Sequence, residues 1–541
     1  MPSGSTSNTT ALDFVSTLVS NTIFPVKLGF IGLLCASLYV LLSFVLRKNL
    51  VDKDGHPIPP GPPFRYAYLK RYHERTLWNW AKEYGPIYSV WMGNQLMIVI
   101  NDATMARDLL VNHGALTSSR RQYFLKDQTI LRGLGITSTP YGDTWRHHRK
   151  IAMQQLTPKA VAGYTHILDY ESHILARSLY YEGNKGSLPI NPALYVARYS
   201  INNMLNLSFG TRTASTSDPL TDRAISLANE FMKLSGPFSN PIDFIEPLQW
   251  IPTPLYKRGV KLHDDIMDAY GALIKRVQTR LDAGEDVPDC LVKTLLLTRE
   301  KEGLSWEATV MLSSVFTLGG VHSMTGILLW FLALIPSYPD VQARAHEELD
   351  RVVGREHWPT AEDEKSLPYV RAIIKEVSRT RSPFWVGTPH YSTEDFVYNG
   401  MFIPKNTSLV LNIYALHHNQ ERYPDASAFN PDRYLGDDLS AADSANLTDA
   451  TQRDHFIFGA GRRICPGIHV AEREMWLAIS RLLWTFRIET DAPIVLDEYA
   501  GANGRTPMPY KVRLVPRHDK VHLMTDEREE VTLFDLSEEK R

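Results

Sequence analysis

The chain has 541 residues, of which 44% are hydrophobic and 22% charged, and its formal net charge is −2. This is ordinary globular composition with ample length for a large core, and the near-neutral charge provides no field that would favour nucleic acid. The cysteines Cys35, Cys290 and Cys465 lie far apart, so neither a disulfide framework nor a zinc ribbon is supported. This cysteine usage fits a reducing, cytosol-facing body.

Three segments are predicted ahead of the folded body. Residues 1–27 are rich in Ser, Thr and Asn and favour a disordered, lumenal N-terminus, in which glycosylation of Asn8 stays open. Residues 28–46 lack charge and approach the minimum length of a transmembrane helix, and the basic pair behind them places the following chain in the cytosol. A cleaved signal peptide is the alternative, although the run is long and lacks an Ala-x-Ala site. Residues 47–65 form a stiff, proline-rich hinge.

Residues 66–517 are predicted to form one mainly helical body with a minor sheet. Two apolar runs on either side of Gly93-Asn94 predict a β-hairpin. Helical patterns dominate from about residue 144 to residue 379, with one proline- and aromatic-rich interruption at residues 236–254. Short strands return near residues 396–403 and 510–515. Residues 518–541 are acidic in balance, without apolar periodicity, and predict a solvated tail.

One cysteine stands in an unusual loop. Cys465 lies in the segment Phe458-Gly-Ala-Gly-Arg-Arg-Ile-Cys-Pro-Gly467, which contains three glycines and two arginines. A helix is predicted to follow, from about residue 468 to residue 486. The positive end of that helix, with Arg462 and Arg463, favours a thiolate. A thiolate in a glycine-lined loop suits a metal whose flat cofactor must approach the backbone. A buried structural cysteine is the alternative.

This loop resembles the haem-binding signature of the cytochrome P-450 family, Phe-x-x-Gly-x-Arg-x-Cys-x-Gly. The matching residues are Phe458, Gly461, Arg463, Cys465 and Gly467. The resemblance implies a mainly α fold with a minor β-sheet, preceded by one N-terminal transmembrane helix. It also implies haem b with the Cys465 thiolate as axial ligand. Microsomal members of the family carry a similar proline hinge.

Two further elements extend the resemblance on the cysteine side. Glu376 and Arg379 share a helix face, and alone they would be an exposed ion pair. Arg433 lies in a proline turn that resembles the family's Pro-x-Arg element, so the resemblance implies a buried triad of these three residues that holds the haem loop. Trp145 and Arg149 resemble the family's Trp-x-x-x-Arg helix.

The resemblance implies that Arg149, supported by Trp145, and Arg463 bind the haem propionates, which need cationic partners. His390 follows a proline where family members often offer a propionate donor. An ordinary loop histidine is the equal alternative, because histidine alone is ambiguous.

The oxygen-side helix departs from the family pattern. Gly319 and Gly320 are retained, although each costs about 1 kcal/mol relative to alanine in a helix. His322 replaces the expected acid and Ser323 the expected threonine, so we predict a proton relay through these two side chains. In the alternative, His322 packs outward and a water chain suffices.

A substrate pocket is predicted from apolar and aromatic residues near that helix. Phe384, Trp385, Tyr123 and Met508, with the two helix glycines, suit an apolar or aromatic substrate, although each could equally be core.

The sequence therefore predicts a monooxygenase that inserts one oxygen atom from dioxygen, by hydroxylation or epoxidation. Electrons would come from NADPH through a flavoprotein reductase, because no Gly-x-Gly-x-x-Gly module is present. The anchor implies an endoplasmic reticulum membrane protein with a cytosolic catalytic domain. The hinge and the relaxed helix motif look most like fungal enzymes of specialised metabolism. A reductase-independent isomerase or dehydratase, and a non-catalytic haem carrier or sensor, remain alternatives.

Overall fold

Helices dominate the computed structural model, which describes residues 29–42, 50–63, 72–236, 238, 240–501 and 504–521. In chain order they are α1 (Gly29–Leu42), α2 (His73–Tyr84), α3 (Ala103–Arg107), α4 (Gly114–Thr117), α5 (Asp143–Met153), α6 (Pro158–Glu182), α7 (Ala193–Phe209), α8 (Pro219–Leu234), α9 (Pro254–Asp282), α10 (Leu291–Glu302), α11 (Trp306–Leu334), α12 (Pro339–Val352), α13 (Pro368–Thr380), α14 (Ile413–His417), α15 (Ala441–Ser444) and α16 (Ile468–Thr485).

The strands are short, and they are β1 (Ile87–Met92), β2 (Gln95–Ile100), β3 (His390–Tyr391), β4 (Phe396–Tyr398), β5 (Met401–Ile403), β6 (Ser408–Leu411), β7 (Phe486–Glu489), β8 (Tyr499–Ala500), β9 (Thr506–Pro507) and β10 (Arg513–Pro516). The main sheet has the order β1-β2-β6-β3. In it β2 pairs with β1 antiparallel and with β6 in parallel. The mainly α prediction with a minor sheet is confirmed.

The chain divides into two units, residues 1–58 with 397–402, and residues 59–396 with 403–541. In the first unit, the His56 ring pairs with the Asp52 carboxylate at 2.8 Å. The largely exposed helix α1 covers part of the predicted anchor, and the ends of that prediction, residue 28 and residues 43–46, lie outside the described residues. Helix α1 alone is shorter than the roughly 20 residues that span a bilayer. The predicted N-terminus at 1–27 also lies outside the described residues.

Several long helices of the second unit begin where the sequence supplies a cap. Thr157, Asp218 and Thr253 each accept a hydrogen bond from a backbone N–H of the first turn, and each is followed by proline. Proline suits the first helical position because the missing N–H would have no partner there. These boundaries are thus encoded locally.

Helix α11 is the centre of the second unit. It begins at the Ser305 cap and is apolar along its length, so among the described residues it is the helix long and apolar enough to cross a membrane. Most of its side chains are buried against protein instead, among them Leu328, Trp330 and Phe331. It is therefore the core helix of the fold, and its few accessible positions mark interior space.

Several element predictions are confirmed, one segment was not predicted, and one boundary differs. The hairpin forms as β1 and β2, and the helix predicted after the cysteine is α16. Residues 124–130 form a π-helical segment that the sequence did not indicate, in which the Asp243 carboxylate accepts the N–H of Leu125 at 2.9 Å. The tail was predicted to begin at residue 518, but the His518 ring packs on Trp484 and Val521 is buried. Residues 522–541 of that tail lie outside the described residues.

Candidate functional site

The cysteine loop is closed by its own backbone. The Cys465 N–H donates to the Phe458 carbonyl at 2.8 Å, and Gly459 and Gly461 have positive φ angles of 74° and 64°. A Cβ on Gly461 would lie 2.0 Å from the Leu110 carbonyl oxygen, so the loop approaches the preceding segment too closely for any side chain. Gly461 of the motif is therefore required by backbone geometry.

Burial dominates the electrostatics of Cys465. It raises the pKa of the thiol, although the Gly467 N–H and the Arg149 charge act to lower it. Arg462 donates to the Tyr141 hydroxyl at 2.9 Å and Arg463 to carbonyls elsewhere, so the stabilisation of the thiolate by these two charges stays a prediction. A bound metal cation would supply the charge that deprotonates the thiol.

Beside the cysteine loop lies a cluster of three arginines, Arg120, Arg149 and Arg463. In the described part of the chain, their hydrogen bonds end on backbone carbonyl oxygens rather than on carboxylates. The acceptors are Ile464 for Arg149, Thr137 and Thr388 for Arg120, and Ser118, Ile136 and Thr139 for Arg463. The buried Asp127 carboxylate acts on Arg120 through space, but within the described residues no carboxylate forms a hydrogen bond with the cluster.

Burial and the neighbouring cations both act to lower the pKa values of Arg120 and Arg463. Burial, together with Arg120 and Arg149, lowers the pKa of Arg463 to about 9. Burial also lowers the pKa of Arg120 to about 9, with Arg149 acting in the same direction and Tyr123 and Asp127 opposing it. Two carboxylates on one ligand, as in the haem propionates, would pair with these cations. Arg120 was missed in the sequence, where the adjacent Arg120-Arg121 pair in an irregular segment was its one signal.

Trp145 and His390 border the cluster. The Arg463 guanidinium lies 4.1 Å from the centre of the Trp145 ring and Arg149 lies 5.8 Å from it, while the indole N–H donates to the Ile136 carbonyl. His390 Nδ1 lies 3.1 Å from the Thr117 carbonyl. Burial and the charge of Arg120 hold the His390 pKa well below its usual value. The neutral His390 ring adds no positive charge to the arginine cluster, and a ring N–H can donate a hydrogen bond to a negatively charged ligand.

Behind the loop, Glu376, Arg379 and Arg433 come together. Glu376 and Arg379 form a bidentate pair with two 2.7 Å hydrogen bonds and no solvent exposure, and Arg433 Nε lies 3.5 Å from the same carboxylate. Arg379 also donates to the Ala426 carbonyl at 2.8 Å. The alternative of an exposed pair is therefore excluded for these side chains.

A buried histidine connects this triad with the cysteine loop. His417 Nδ1 donates to the Arg379 carbonyl at 2.9 Å, and its Nε2 accepts the Phe456 N–H at 2.8 Å. Burial holds the His417 pKa well below its usual value, so the ring stays neutral and can donate and accept at once. Sequence reasoning missed this bridge, because a histidine at the end of a helix as short as α14 carries no distinguishing pattern.

The two glycines of α11 face different surroundings. A Cβ on Gly320 would lie 2.3 Å from the Met204 sulfur of α7, so this glycine permits close packing of two helices. Gly319 has no neighbour within 4 Å of that position and is exposed in the middle of the buried helix. Gly319 therefore borders open space, whereas Gly320 lies at a helix contact.

His322 and Ser323 lie next to Gly319 on the same helix. Ser323 Oγ donates to the Gly319 carbonyl at 3.0 Å. The His322 ring faces the Gly504 backbone, where a Cβ would be 1.9 Å from Nε2, and lies 6.3 Å from the Phe384 ring. Burial lowers the His322 pKa, although the Gly504 backbone raises it. His322 thus packs inward as a neutral imidazole.

Of the predicted pocket residues, one lies beside His322, one lies in the C-terminal loop and two lie in packed regions. Phe384 lies beside His322, and Met508 is half-buried in the C-terminal loop. Trp385 instead packs on Tyr414 at 4.9 Å, and Tyr123 packs on Phe244 within the core beneath the main sheet. Those aromatic contacts place Trp385 and Tyr123 in packed core clusters.

The cysteine loop fits a metal that binds a thiolate, and the arginines beside it fit a ligand that carries carboxylates. Together they define the site of a haem-thiolate protein. Comparison with known proteins agrees with this class. The sequence pattern of the family described as Cytochrome P450 matches residues 58–513, and the chain belongs to that family. Its members are oxidoreductases that bind haem through a cysteine thiolate.

Curated relatives match over nearly the whole chain. Cytochrome P450 monooxygenase fogE of Aspergillus ruber is 30% identical, with 89% of this chain and 91% of the relative covered. Cytochrome P450 monooxygenase virE of Hypocrea virens is 31% identical over 88% and 89%. Cytochrome P450 monooxygenase polD of Polytolypa hystricis is 31% identical over 87% and 92%. The similarity therefore supports a monooxygenase role.

Proposed function

We propose that this chain is a monooxygenase that uses haem b to insert one oxygen atom from dioxygen into an apolar or aromatic small molecule, by hydroxylation or epoxidation. The observation that carries the proposal is the Cys465 loop beside arginines without carboxylate partners. Electrons come from NADPH through a separate flavoprotein reductase. When bound, the haem supplies the dioxygen-activating chemistry, which an axial thiolate favours.

The residues around the loop hold the cofactor in this proposal. Cys465 would bind the haem iron through its thiolate, and Arg120, Arg149 and Arg463 would neutralise the propionates. His390 can join them, because a nearby carboxylate raises a histidine pKa and lets Nε2 donate. Trp145 orients two of the guanidinium groups. Phe458 and Gly467 fix the conformation of the loop. Behind the loop, the triad of Glu376, Arg379 and Arg433 supports it without contacting the cofactor.

The oxygen side is assigned to α11. The Ser323 hydroxyl donates a hydrogen bond to the Gly319 carbonyl. Its oxygen can therefore accept a hydrogen bond from water in the adjoining space. Neutral His322 can take a proton at one ring nitrogen and release it at the other. Together they order water and carry protons, while Gly319 leaves room for dioxygen.

Substrate and setting are proposed at the level of class. Phe384 and Met508 provide an apolar boundary, which suits an apolar or aromatic substrate. The fungal relatives support a place in fungal specialised metabolism. The uncharged N-terminal run supports a single-pass anchor in the endoplasmic reticulum membrane, with the catalytic body in the cytosol.

The central test is the absorbance of the reduced protein under carbon monoxide. Wild type should show the red-shifted Soret band of thiolate ligation, and Cys465→Ala should lose it. Cys290→Ala is the matched control, because Cys290 is buried at the start of α10, outside the proposed site. Retention of the band in Cys465→Ala would refute the assignment. Incorporation of labelled dioxygen that requires NADPH and reductase then tests the reaction.

A second candidate follows from the altered helix motif. With His322 and Ser323 in place of the usual acid and threonine, the site could instead rearrange or dehydrate a peroxide substrate without external electrons. Turnover of a fatty-acid hydroperoxide in the absence of reductant would favour this isomerase or dehydratase. Absence of any ligand-induced spin-state change would favour a haem carrier or sensor instead.

A further inference from the structure

A buried ion pair lies outside the proposed site. Glu74 of α2 has no solvent exposure and Arg505 is 2% exposed, and Arg505 Nη2 donates to Glu74 Oε2 at 2.8 Å. The Tyr499 hydroxyl donates to the other carboxylate oxygen. The pair joins the first helix of the second unit with a loop more than four hundred residues later in the chain.

The backbone of Arg505 is held from two other directions. Its N–H donates to the Pro383 carbonyl at 2.9 Å, and its own carbonyl accepts the Trp330 indole N–H at 3.0 Å. Trp330 belongs to α11, and Pro383 directly precedes Phe384. The side-chain pair therefore completes a three-point attachment of a single residue.

This attachment fixes the loop against the oxygen-side helix. Gly504 touches His322, where a Cβ would lie 1.9 Å from Nε2. One turn further along α11, the Arg505 carbonyl and the Thr506 methyl lie 3.6 and 3.8 Å from the position of a Cβ on Gly326. Residues 504–506 are thus a wall beside the helix face that carries the proton relay.

We propose that Glu74 and Arg505 are a positioning pair that sets the shape of the distal side of the site. This inference rests on the proposed function, because it takes the space beside His322 as the substrate side. A fully buried ion pair adds little net stability over apolar residues of similar volume, but its geometry admits one arrangement. Its effect should therefore appear in how ligands of different size bind.

The test compares two nitrogen ligands of ferric haem, imidazole and the bulkier 4-phenylimidazole, by their spectral dissociation constants. In Glu74→Met/Arg505→Met, the pair is replaced by apolar side chains that can fill the same volume. The ratio of the two dissociation constants should shift at least fivefold from wild type. The matched control is Glu171→Met/Arg212→Met, another pair with a buried carboxylate at 2.6 Å, and its ratio should move less than twofold.

Two milder variants keep the test decisive if the double variant does not load haem. Glu74→Gln should speed amide hydrogen exchange of residues 504–508 at least tenfold, a readout that needs no ligand. Arg505→Lys keeps the charge and should hold both readouts within twofold of wild type. Unchanged exchange in Glu74→Gln, or an unchanged ligand ratio in a haem-loaded double variant, would overturn the proposal. The wild-type carbon monoxide band tests the proposed function separately.

Discussion

Two buried arginines, Arg120 and Arg463, and the half-buried Arg149 give the site much of its character, because their hydrogen bonds end on carbonyls rather than on carboxylates. Arg149 lowers the pKa of Arg120, and both lower the pKa of Arg463, so the three cations repel one another. Backbone carbonyls solvate them, but carbonyl dipoles do not cancel the charge. A dianionic ligand would therefore be bound in part by relief of this repulsion.

Removal of one charge should weaken cofactor binding without unfolding the protein. In Arg120→Gln, the amide can still donate to a carbonyl, but the attraction to propionate is lost. We expect haem affinity to fall about tenfold, which corresponds to about 1.4 kcal/mol. The rate of haem transfer to apomyoglobin measures this change. Arg121→Gln is the control, since Arg121 lies outside the cluster, and an equal effect of both variants would contradict the assignment.

The loop glycines allow a matched pair of alanine substitutions. Both Gly459 and Gly461 have positive φ, which costs a non-glycine residue about 1–2 kcal/mol. A Cβ at Gly459 meets nothing within 4 Å, whereas at Gly461 it meets the Leu110 carbonyl. Gly461→Ala should therefore lose a further ~1–3 kcal/mol of unfolding free energy. Urea denaturation measures both variants, and equal losses would show that the close contact is unimportant.

At the scale of elements, α11 combines a packed face with an open one. Gly320 lets α7 approach until Met204 fills the space of a missing side chain, and Gly319 leaves space that no neighbour occupies. Adjacent glycines in one helix thus have separate causes. Sequence position alone could not separate them, because both the packing partner and the open space come from tertiary contacts.

Alanine substitution should separate the two causes. Gly319→Ala should raise the unfolding free energy by ~1 kcal/mol through helix propensity, and should weaken binding of carbon monoxide by filling open space. Gly320→Ala should be destabilising by ~1–3 kcal/mol because of the Met204 contact. In a double-mutant cycle with Met204→Ala, the interaction energy should reach about 1 kcal/mol. Additive effects would contradict the packing explanation.

Sequence motifs predicted the elements around the cysteine well, because their spacing is local. Trp145 and Arg149 share a helix face, as do Glu376 and Arg379, and α16 begins three residues after the cysteine. The same reasoning could not identify Arg120, whose role depends on carbonyls from residues far along the chain. The roles of His322 and Ser323 remain predictions.

At the scale of the whole molecule, buried titratable groups set how stability depends on pH. Burial lowers the pKa values of His346, His418 and His455 to about 4. The unfolded chain binds protons there that the folded chain does not, so stability falls as pH drops from about 6.5 to 4. Burial raises the pKa of Glu474 to about 8, so its contribution to stability is lost as pH rises from about 4.5 to 8.

Glu474→Gln should remove the second dependence. Glu474 is 2% exposed, and burial raises its pKa more than the hydrogen bond with Asn203 lowers it, so the folded protein keeps the acid protonated at neutral pH. Between pH 5 and 7.5, the unfolding free energy of wild type should fall relative to the variant by up to about 1.4 kcal/mol per pH unit. Urea melts across this range measure it. Exposed Glu394→Gln should give a flat difference, and a flat difference for Glu474→Gln would show that the acid is ionised in the fold.

The contacts of the arginine cluster also have a consequence for the order of folding. Arg149 donates to a carbonyl 315 residues later in the chain, and Arg463 to one 345 residues earlier. Contacts of such sequence separation form late, because loop closure must precede them. During synthesis, the cofactor cradle cannot exist until the chain has passed the cysteine loop. Only chains completed beyond the cysteine loop would then bind haem. Chains terminated before it would lack haem and its visible absorbance.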